Sequence, residues 1–174
     1  MAKTEKTKQI EAVLWKENNK QGIFGCFEVT IGWGGQEIVD FITYKTNGEF
    51  RCYEIKVSKA DFKSKAKLSF HGDFNYYVMP SELYEELKID AKKEVENVKY
   101  YTEKEKIELF DTRLKNQNLG LITISPLGYM RTVIKPKRKY PDLSVRMTLL
   151  QSMLRSSNRE IEKFYKVPGH GYWE

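Results

Sequence analysis

The stretch Glu37-Ile-Val-Asp-Phe-Ile-Thr-Tyr-Lys-Thr-Asn-Gly-Glu-Phe-Arg-Cys-Tyr-Glu-Ile-Lys-Val-Ser58 decides how the chain folds. Two runs rich in β-branched and aromatic residues flank Asn47-Gly48, a dipeptide suited to the left-handed backbone of a tight turn. Residues 37–45 and 49–58 therefore read as a β-hairpin. Asp40, Glu54 and Lys56 interrupt strand patterns that are otherwise apolar. Strand alternation sends Glu54 and Lys56 to one face, and Tyr53, Ile55 and Val57 to the other. Asp40 lies between Val39 and Phe41, with Ile38 and Ile42 on its own face, and the turn brings it to the level of Glu54 and Lys56.

Two carboxylates and an amine thus converge where burial is expected. Carboxylates that close repel each other, and burial raises the penalty. A divalent cation held by oxygen ligands removes it. The chemistry that fits is metal-assisted phosphodiester hydrolysis, with Mg2+ (Mn2+ as substitute) on Asp40, Glu54 and the backbone carbonyl of Ile55. Lys56 would orient the attacking water or neutralise charge developing on the phosphorane. Glu11 is placed to supply a further carboxylate from the first helix. It is preferred to Glu5 because it lies beside Ile10 and Leu14, on the face that must approach the sheet.

The acid-any-lysine tripeptide alone says little, since it recurs at Asp61-Phe-Lys63, Glu86-Leu-Lys88 and Asp90-Ala-Lys92. Only Glu54-Ile-Lys56 lies in an apolar, aromatic strand. An exposed edge hairpin with a cross-strand salt bridge would carry the same charges, but the apolar neighbours on both faces argue against it. Glu37 and Glu28 lie nearby and read as solvated or peripheral.

Around this hairpin, residues 4–19 read as an amphipathic helix with Ile10, Val13 and Leu14 at helical spacing, and residues 23–31 as a strand broken by Gly32-Trp-Gly-Gly35. Ser58, with Asp61 three residues on, opens a short basic helix to about Leu68. Phe74 to Met79 is a strand stopped by Pro80, and Ser81 caps the next helix. Residues 90–118 form a charged insertion with one surface helix hinted at by Ile107, Phe110 and Leu114. Residues 119–125 and 129–134 make a second hairpin at the sheet edge, and a helix over 143–165 closes the chain. The order predicts a single α/β domain over 1–174, a mixed β-sheet flanked by helices.

At 174 residues the chain can bury a core without staples. Cys26 and Cys52 fall in strands and read as reduced, buried thiols, too few for a metal cluster or a disulfide scaffold. No apolar run is long enough to span a membrane and the N-terminus is charged, which leads us to expect a cytoplasmic protein, in the host cytoplasm if phage-encoded. The formal charge of +6 suits a polyanionic partner.

The pattern Ile38-Val-Asp40 followed by Glu54-Ile-Lys56 resembles the PD-(D/E)XK nuclease superfamily, with Glu11 where many members carry an acid. The continuation Glu54-Ile-Lys-Val-Ser-Lys-Ala-Asp-Phe62, then Asp73-Phe-Asn-Tyr-Tyr-Val-Met-Pro80, is similar to the MmcB-like predicted DNA-repair nucleases. The resemblance spans about residues 5–90 and the closing hairpin and helix more loosely. Val39 stands where the motif has proline, and residues 90–118 have no assigned counterpart. The resemblance implies a restriction-endonuclease-like core and Mg2+-dependent cleavage of DNA, in repair, recombination or phage genome processing. An inactive module binding nucleic acid or protein, or an RNA-directed nuclease, would share these features.

Lys59, Lys63, Lys65 and Lys67 follow the motif, and Lys135, Lys137, Arg138 and Lys139 form a second basic run. Either is a solvated face or a set of phosphate contacts. His71 reads as a turn residue and His170 as part of a loose tail, while Tyr76 and Tyr77 belong to the sheet core. Duplex or branched DNA is the expected partner. The apolar-faced C-terminal helix is the surface through which a homodimer would form.

Overall fold

A computed structural model describes residues 3–32, 37–64 and 70–166. Its elements are α1 (Glu5–Asn18), β1 (Ile23–Ile31), β2 (Glu37–Lys45), β3 (Phe50–Ile55), α2 (Lys59–Phe62), β4 (Phe74–Pro80), α3 (Ser81–Glu94), α4 (Glu103–Asn116), β5 (Gly120–Ile124), β6 (Met130–Ile134) and α5 (Leu143–Tyr165). The strands form one six-stranded sheet in sequential order β1 to β6. β1, β2 and β3 pair antiparallel, β3–β4 and β4–β5 are parallel, and β6 closes the edge antiparallel to β5. Every residue of β5 is buried, as its place inside the parallel part of the sheet requires.

The turn between β2 and β3 is closed by hydrogen bonds from Lys45 N to Glu49 O (2.9 Å) and from Gly48 N to Lys45 O (2.8 Å), with Gly48 at φ 86°. That φ is open to glycine at no steric penalty, which is why Asn-Gly marks the turn. The ladder then pairs Tyr44 with Phe50, Thr43 with Arg51, Ile42 with Cys52 and Phe41 with Tyr53. The pairs close around the three residues Thr46-Asn47-Gly48, so the loop is one residue longer than Asn47-Gly48 alone.

Helices cover both faces. α1, capped by Thr4, lays Ile10 and Leu14 onto Phe41, Tyr53, Ile55, Tyr76, Val78 and Ile122. On the opposite face α5 sets Leu149 and Met153 against Cys26, Ile42, Phe50 and Cys52. α3 and α4 cover the other half of that face with Leu83, Leu87, Phe110 and Leu114 against Met79 and Leu121. Cys26 and Cys52 are buried free thiols, and burial pushes Cys52 up to about 12. Among the described residues no helix is long and apolar enough to cross a membrane.

Several local expectations are corrected. The helix after Ser58 stops at Phe62, with Lys63 and Ser64 outside it, and residues 65–69 lie outside the described chain. Ser81 is no cap: Pro80 precedes the helix without a side-chain cap bond, and Ser81 Oγ donates to Glu82 instead. The helix in the charged segment 90–118 is not a surface helix, though Ile107 is exposed. α3 runs on to Glu94, a Thr102–Glu105 capping box starts α4, and Leu109, Phe110 and Leu114 enter the core. Trp33 to Gly35 and His170 also lie outside the described residues.

Candidate functional site

The β2–β3 ladder ends at Phe41–Tyr53, one step short of Asp40 and Glu54. Continued by one pair, the register would set those two acids opposite each other. Instead the strands part, and Asp40 Oδ2 accepts the Ile55 main-chain N–H at 2.7 Å. A carboxylate oxygen has replaced a strand carbonyl as acceptor, which fixes Asp40 against the end of β3.

Side-chain parity also breaks here. Val39 and Phe41 would share a face in a regular strand, yet Val39 packs in the cluster under α5 and Phe41 in the cluster under α1. On β1, Glu28 stands at φ 50°, between the pairs Phe27–Phe41 and Val29–Val39. A left-handed non-glycine residue in a strand is a local irregularity, and it lies level with Asp40. The expected neighbours of Asp40 on its own face therefore separate: Ile42 is buried under α5, and Ile38 is 53% exposed.

Glu54 and Lys56 share the expected face and are both buried, at 7% and 4% exposure. Lys56 Nζ donates to Glu54 Oε1 at 3.1 Å and lies 3.5 Å from Asp61 Oδ1. The Lys56 N–H continues the parallel pairing by donating to Val78 O (2.9 Å), so the lysine backbone is held by β4. Burial opposes the Lys56 ammonium, but Glu54 and Asp61 more than offset this and raise its pKa above the ordinary lysine value. Burial and the neighbouring Asp40 charge push Glu54 up to about 7, against the pull of Lys56. Asp40 is raised by burial, with the Ile55 N–H and Lys56 acting in the other direction.

Asp61 is the residue that sequence reasoning missed. Its tripeptide was a decoy for the motif, yet its side chain accepts the Val57 N–H at 3.0 Å and faces Lys56, while Ser58 Oγ accepts the Asp61 N–H at 3.1 Å. The signal was present in the serine cap with an acid three residues on, which ties the turn after β3 to the site lysine.

Glu11 is the first-helix acid whose charge reaches Asp40. Its carboxylate is bound by Lys3 at 2.6 Å, and the same ammonium reaches Glu28 at 2.8 Å. Glu5 pairs with Lys8 on the exposed side of α1. Glu37, expected to be solvated, is buried: it lies 3.5 Å from His71 and shares with Glu54, Cys52 and Phe70 the lining of a cavity of about 10 Å3.

The basic residues divide. Lys59 pairs with Asp90 (3.0 Å) and Glu86 (3.5 Å), and Lys63 reaches Asp90 at 3.9 Å, so both are tied to α3. Lys65 and Lys67 lie outside the described residues. Arg138 donates to Asp73 at 3.3 Å and lies over the Phe74 and Tyr140 rings, Lys139 Nζ donates to Phe70 O, and Lys137 is exposed. Among the described residues, no group of three or more His, Cys, Asp or Glu side chains is arranged to hold a metal ion. The candidate donor set is two carboxylates and a main-chain carbonyl.

No family model and no curated protein matches the chain. Among solved structures it is similar to a protein of unknown function from Silicibacter pomeroyi, at 17% sequence identity and a TM-score of 0.65, over 99% of this chain and 100% of that one. The two share a fold along their whole length: a mixed α/β architecture with helices on a six-stranded sheet.

Proposed function

We propose that the chain is a metal-dependent endonuclease that hydrolyses DNA phosphodiester bonds, on a restriction-endonuclease-like core, in repair, recombination or phage genome processing. The observation that carries this reading is the convergence of half-buried Asp40 with buried Glu54 and Lys56 where β2 and β3 part, with Glu54 pushed up to about 7 by burial and by Asp40. A fold gains nothing from holding two carboxylates in that relation unless a cation or a reacting group enters between them.

The donor chemistry suits Mg2+ or Mn2+: hard oxygen ligands from Asp40, Glu54 and the Ile55 carbonyl, with Glu11 near enough to act on Asp40 through its charge. Such an ion, when bound, polarises a phosphate oxygen and acidifies a water. The chain's own residues do the rest. Asp40 is locked by the Ile55 N–H, so its free oxygen has a fixed direction. Lys56 stays charged, because Glu54 and Asp61 hold its ammonium, and it offers positive charge where a phosphorane develops negative charge. Asp61 is a positioning residue that acts through Lys56 and the Val57 N–H.

A second reading has one observation in its favour. Lys56 already bridges Glu54 and Asp61, a partly self-neutralised set that a non-catalytic nucleic-acid- or protein-binding module would also tolerate. A cleavage panel of single-stranded, duplex, flap and four-way-junction DNA, and RNA, in Mg2+ and Mn2+ tests both readings. Cutting that disappears in Glu54→Ala and Lys56→Ala supports the nuclease. Calorimetry showing no binding of either cation supports the inert module.

A further inference from the structure

We infer that Glu28 is a positioning residue for the candidate site: its left-handed backbone, held by Lys3 and Arg159, turns the Asp40 carboxylate onto β3. Of the described non-glycine residues at positive φ, Glu28, Phe70 and Asn118, Glu28 alone lies inside a strand. Glutamate has no local reason to stand at φ 50°, a region that favours glycine and asparagine. Its surroundings must impose that conformation.

The consequence runs along both strands. Residues two apart share a face of a regular strand, yet Phe27 packs under α1 and Val29 under α5. Their partners on β2 follow them: Phe27 pairs with Phe41, ring centroids 4.2 Å apart, and Val29 pairs with Val39. β1 and β2 therefore change faces together, and the step falls at Glu28 on one strand and Asp40 on the other. Each strand has one residue in that gap, so the step comes from conformation rather than from an inserted residue. Asp40 is left out of the β1–β2 ladder and bonds on the side of β3 instead, to the Ile55 N–H at 2.7 Å.

Two cations hold Glu28 in place. Arg159 Nη2, from α5, donates to the Glu28 main-chain oxygen at 3.2 Å, and Arg159 Nη1 lies 3.4 Å from Thr30 Oγ1. Lys3 Nζ, from the segment leading into α1, binds the Glu28 carboxylate at 2.8 Å and that of Glu11 at 2.6 Å. The Lys3 bond outweighs burial and keeps the Glu28 carboxyl below the ordinary glutamate range, so this clamp is ionic at neutral pH. One cation fixes the side chain and the other the backbone, which is how an unfavourable dihedral is maintained. The functional role rests on the reading of Asp40 as a cation ligand.

Glycine adopts φ 50° without a clamp, whereas valine, with its branched Cβ, does not adopt it. Hydrogen exchange of the Ile55 amide, measured without metal, reads the Asp40 bond, and Mn2+ calorimetry reads the site. Glu28→Gly should retain both Ile55 protection and Mn2+ affinity. Glu28→Val should speed Ile55 exchange and weaken Mn2+ binding, each about tenfold or more, with other core amides unchanged. If Glu28→Val does not fold, Lys3→Met combined with Arg159→Met, which leaves Glu28 in place but unheld, should show the same losses. Adding Glu28→Gly to that pair should reverse them. Equal losses in Glu28→Gly and Glu28→Val overturn the inference, because the carboxylate rather than the backbone would then be what the site needs. Unchanged Ile55 protection in Glu28→Val, or in the unheld pair, overturns it too. A wild type that binds no Mn2+ overturns the nuclease reading instead, and the Ile55 amide alone then decides whether Glu28 positions Asp40.

Discussion

Asp73, in the bend just before β4, and Glu54, on β3, are both buried carboxylates, and the fold treats them in opposite ways. Asp73 is fully enclosed, yet Arg146 grips it with two bonds of 2.8 and 3.1 Å, the Phe50 N–H donates at 3.0 Å and Arg138 adds contacts at 3.3 Å. Burial would raise its pKa, but the Arg146 guanidinium and the Phe50 N–H outweigh burial and hold it below the ordinary aspartate value. Glu54 has one lysine, shared with Asp61, and a second carboxylate beside it, and is pushed up to about 7. Asp73 is a fastener joining α5, the segment before it and the β2–β3 turn. Glu54 is a group held in an unfavourable state, as its proposed role as a cation ligand requires.

The sharpest way to break this comparison is by activity. If Glu54 and Lys56 act on a phosphate, Glu54→Ala and Lys56→Ala should each lower cleavage more than a thousandfold, about 4 kcal/mol of barrier, while Asp73 variants that remain folded keep cutting. Gel assays at matched folded concentration read the difference. Equal losses at Asp73 and Glu54 would erase the distinction.

Stability should show the reverse. Asp73→Ala leaves Arg146 partly buried without its carboxylate and should lower urea stability by about 3 kcal/mol or more. Glu54→Gln removes one of two repelling acids and should leave the metal-free protein at pH 8 as stable as the wild type, or more so. Mg2+ should raise the melting temperature of the wild type but not that of Glu54→Gln.

The pH dependence follows from the same pair. Glu54 has a folded pKa of about 7 against an ordinary 4.5, so its contribution is most favourable below about 4.5 and is lost as pH rises through about 7. Metal-free protein should therefore gain on the order of 2–3 kcal/mol from this group between pH 8 and pH 5. The gain should vanish in Glu54→Gln and shrink when Mg2+ is present. Asp73, held below its ordinary 3.8, supports the fold above that pH and withdraws support as pH falls lower. Acid melts of wild type and Asp73→Asn separate the two terms.

The smallest effect concerns the turn behind Lys56. Ser58→Ala removes the bond to the Asp61 N–H and should lower stability by about 1 kcal/mol. If Asp61 positions Lys56, the same change should lower kcat more than it raises KM. A change in stability alone would confine Asp61 to capping.

Much of this was legible in the chain itself. Asn47-Gly48 marks the hairpin turn through local backbone sterics, and alternation in β3 sends Glu54 and Lys56 one way and Tyr53 and Ile55 the other. The helix periods of α1 and α5, and the mixed sheet, follow from local patterns as well. The structure alone decided what depends on neighbours distant in sequence. α4 is charged along most of its length, and only its packing with α3 shows that Phe110 and Leu114 are core. Asp61 became part of the site because the chain turns back after β3, and Glu37 is buried by partners beyond its own strand. The break in parity at Asp40 arises where β1 and β3 impose different demands on β2, so no rule of period two within one strand could foretell it. Local sterics and periodicity are written in the sequence. Burial and pKa belong to groups that meet only once the sheet has formed.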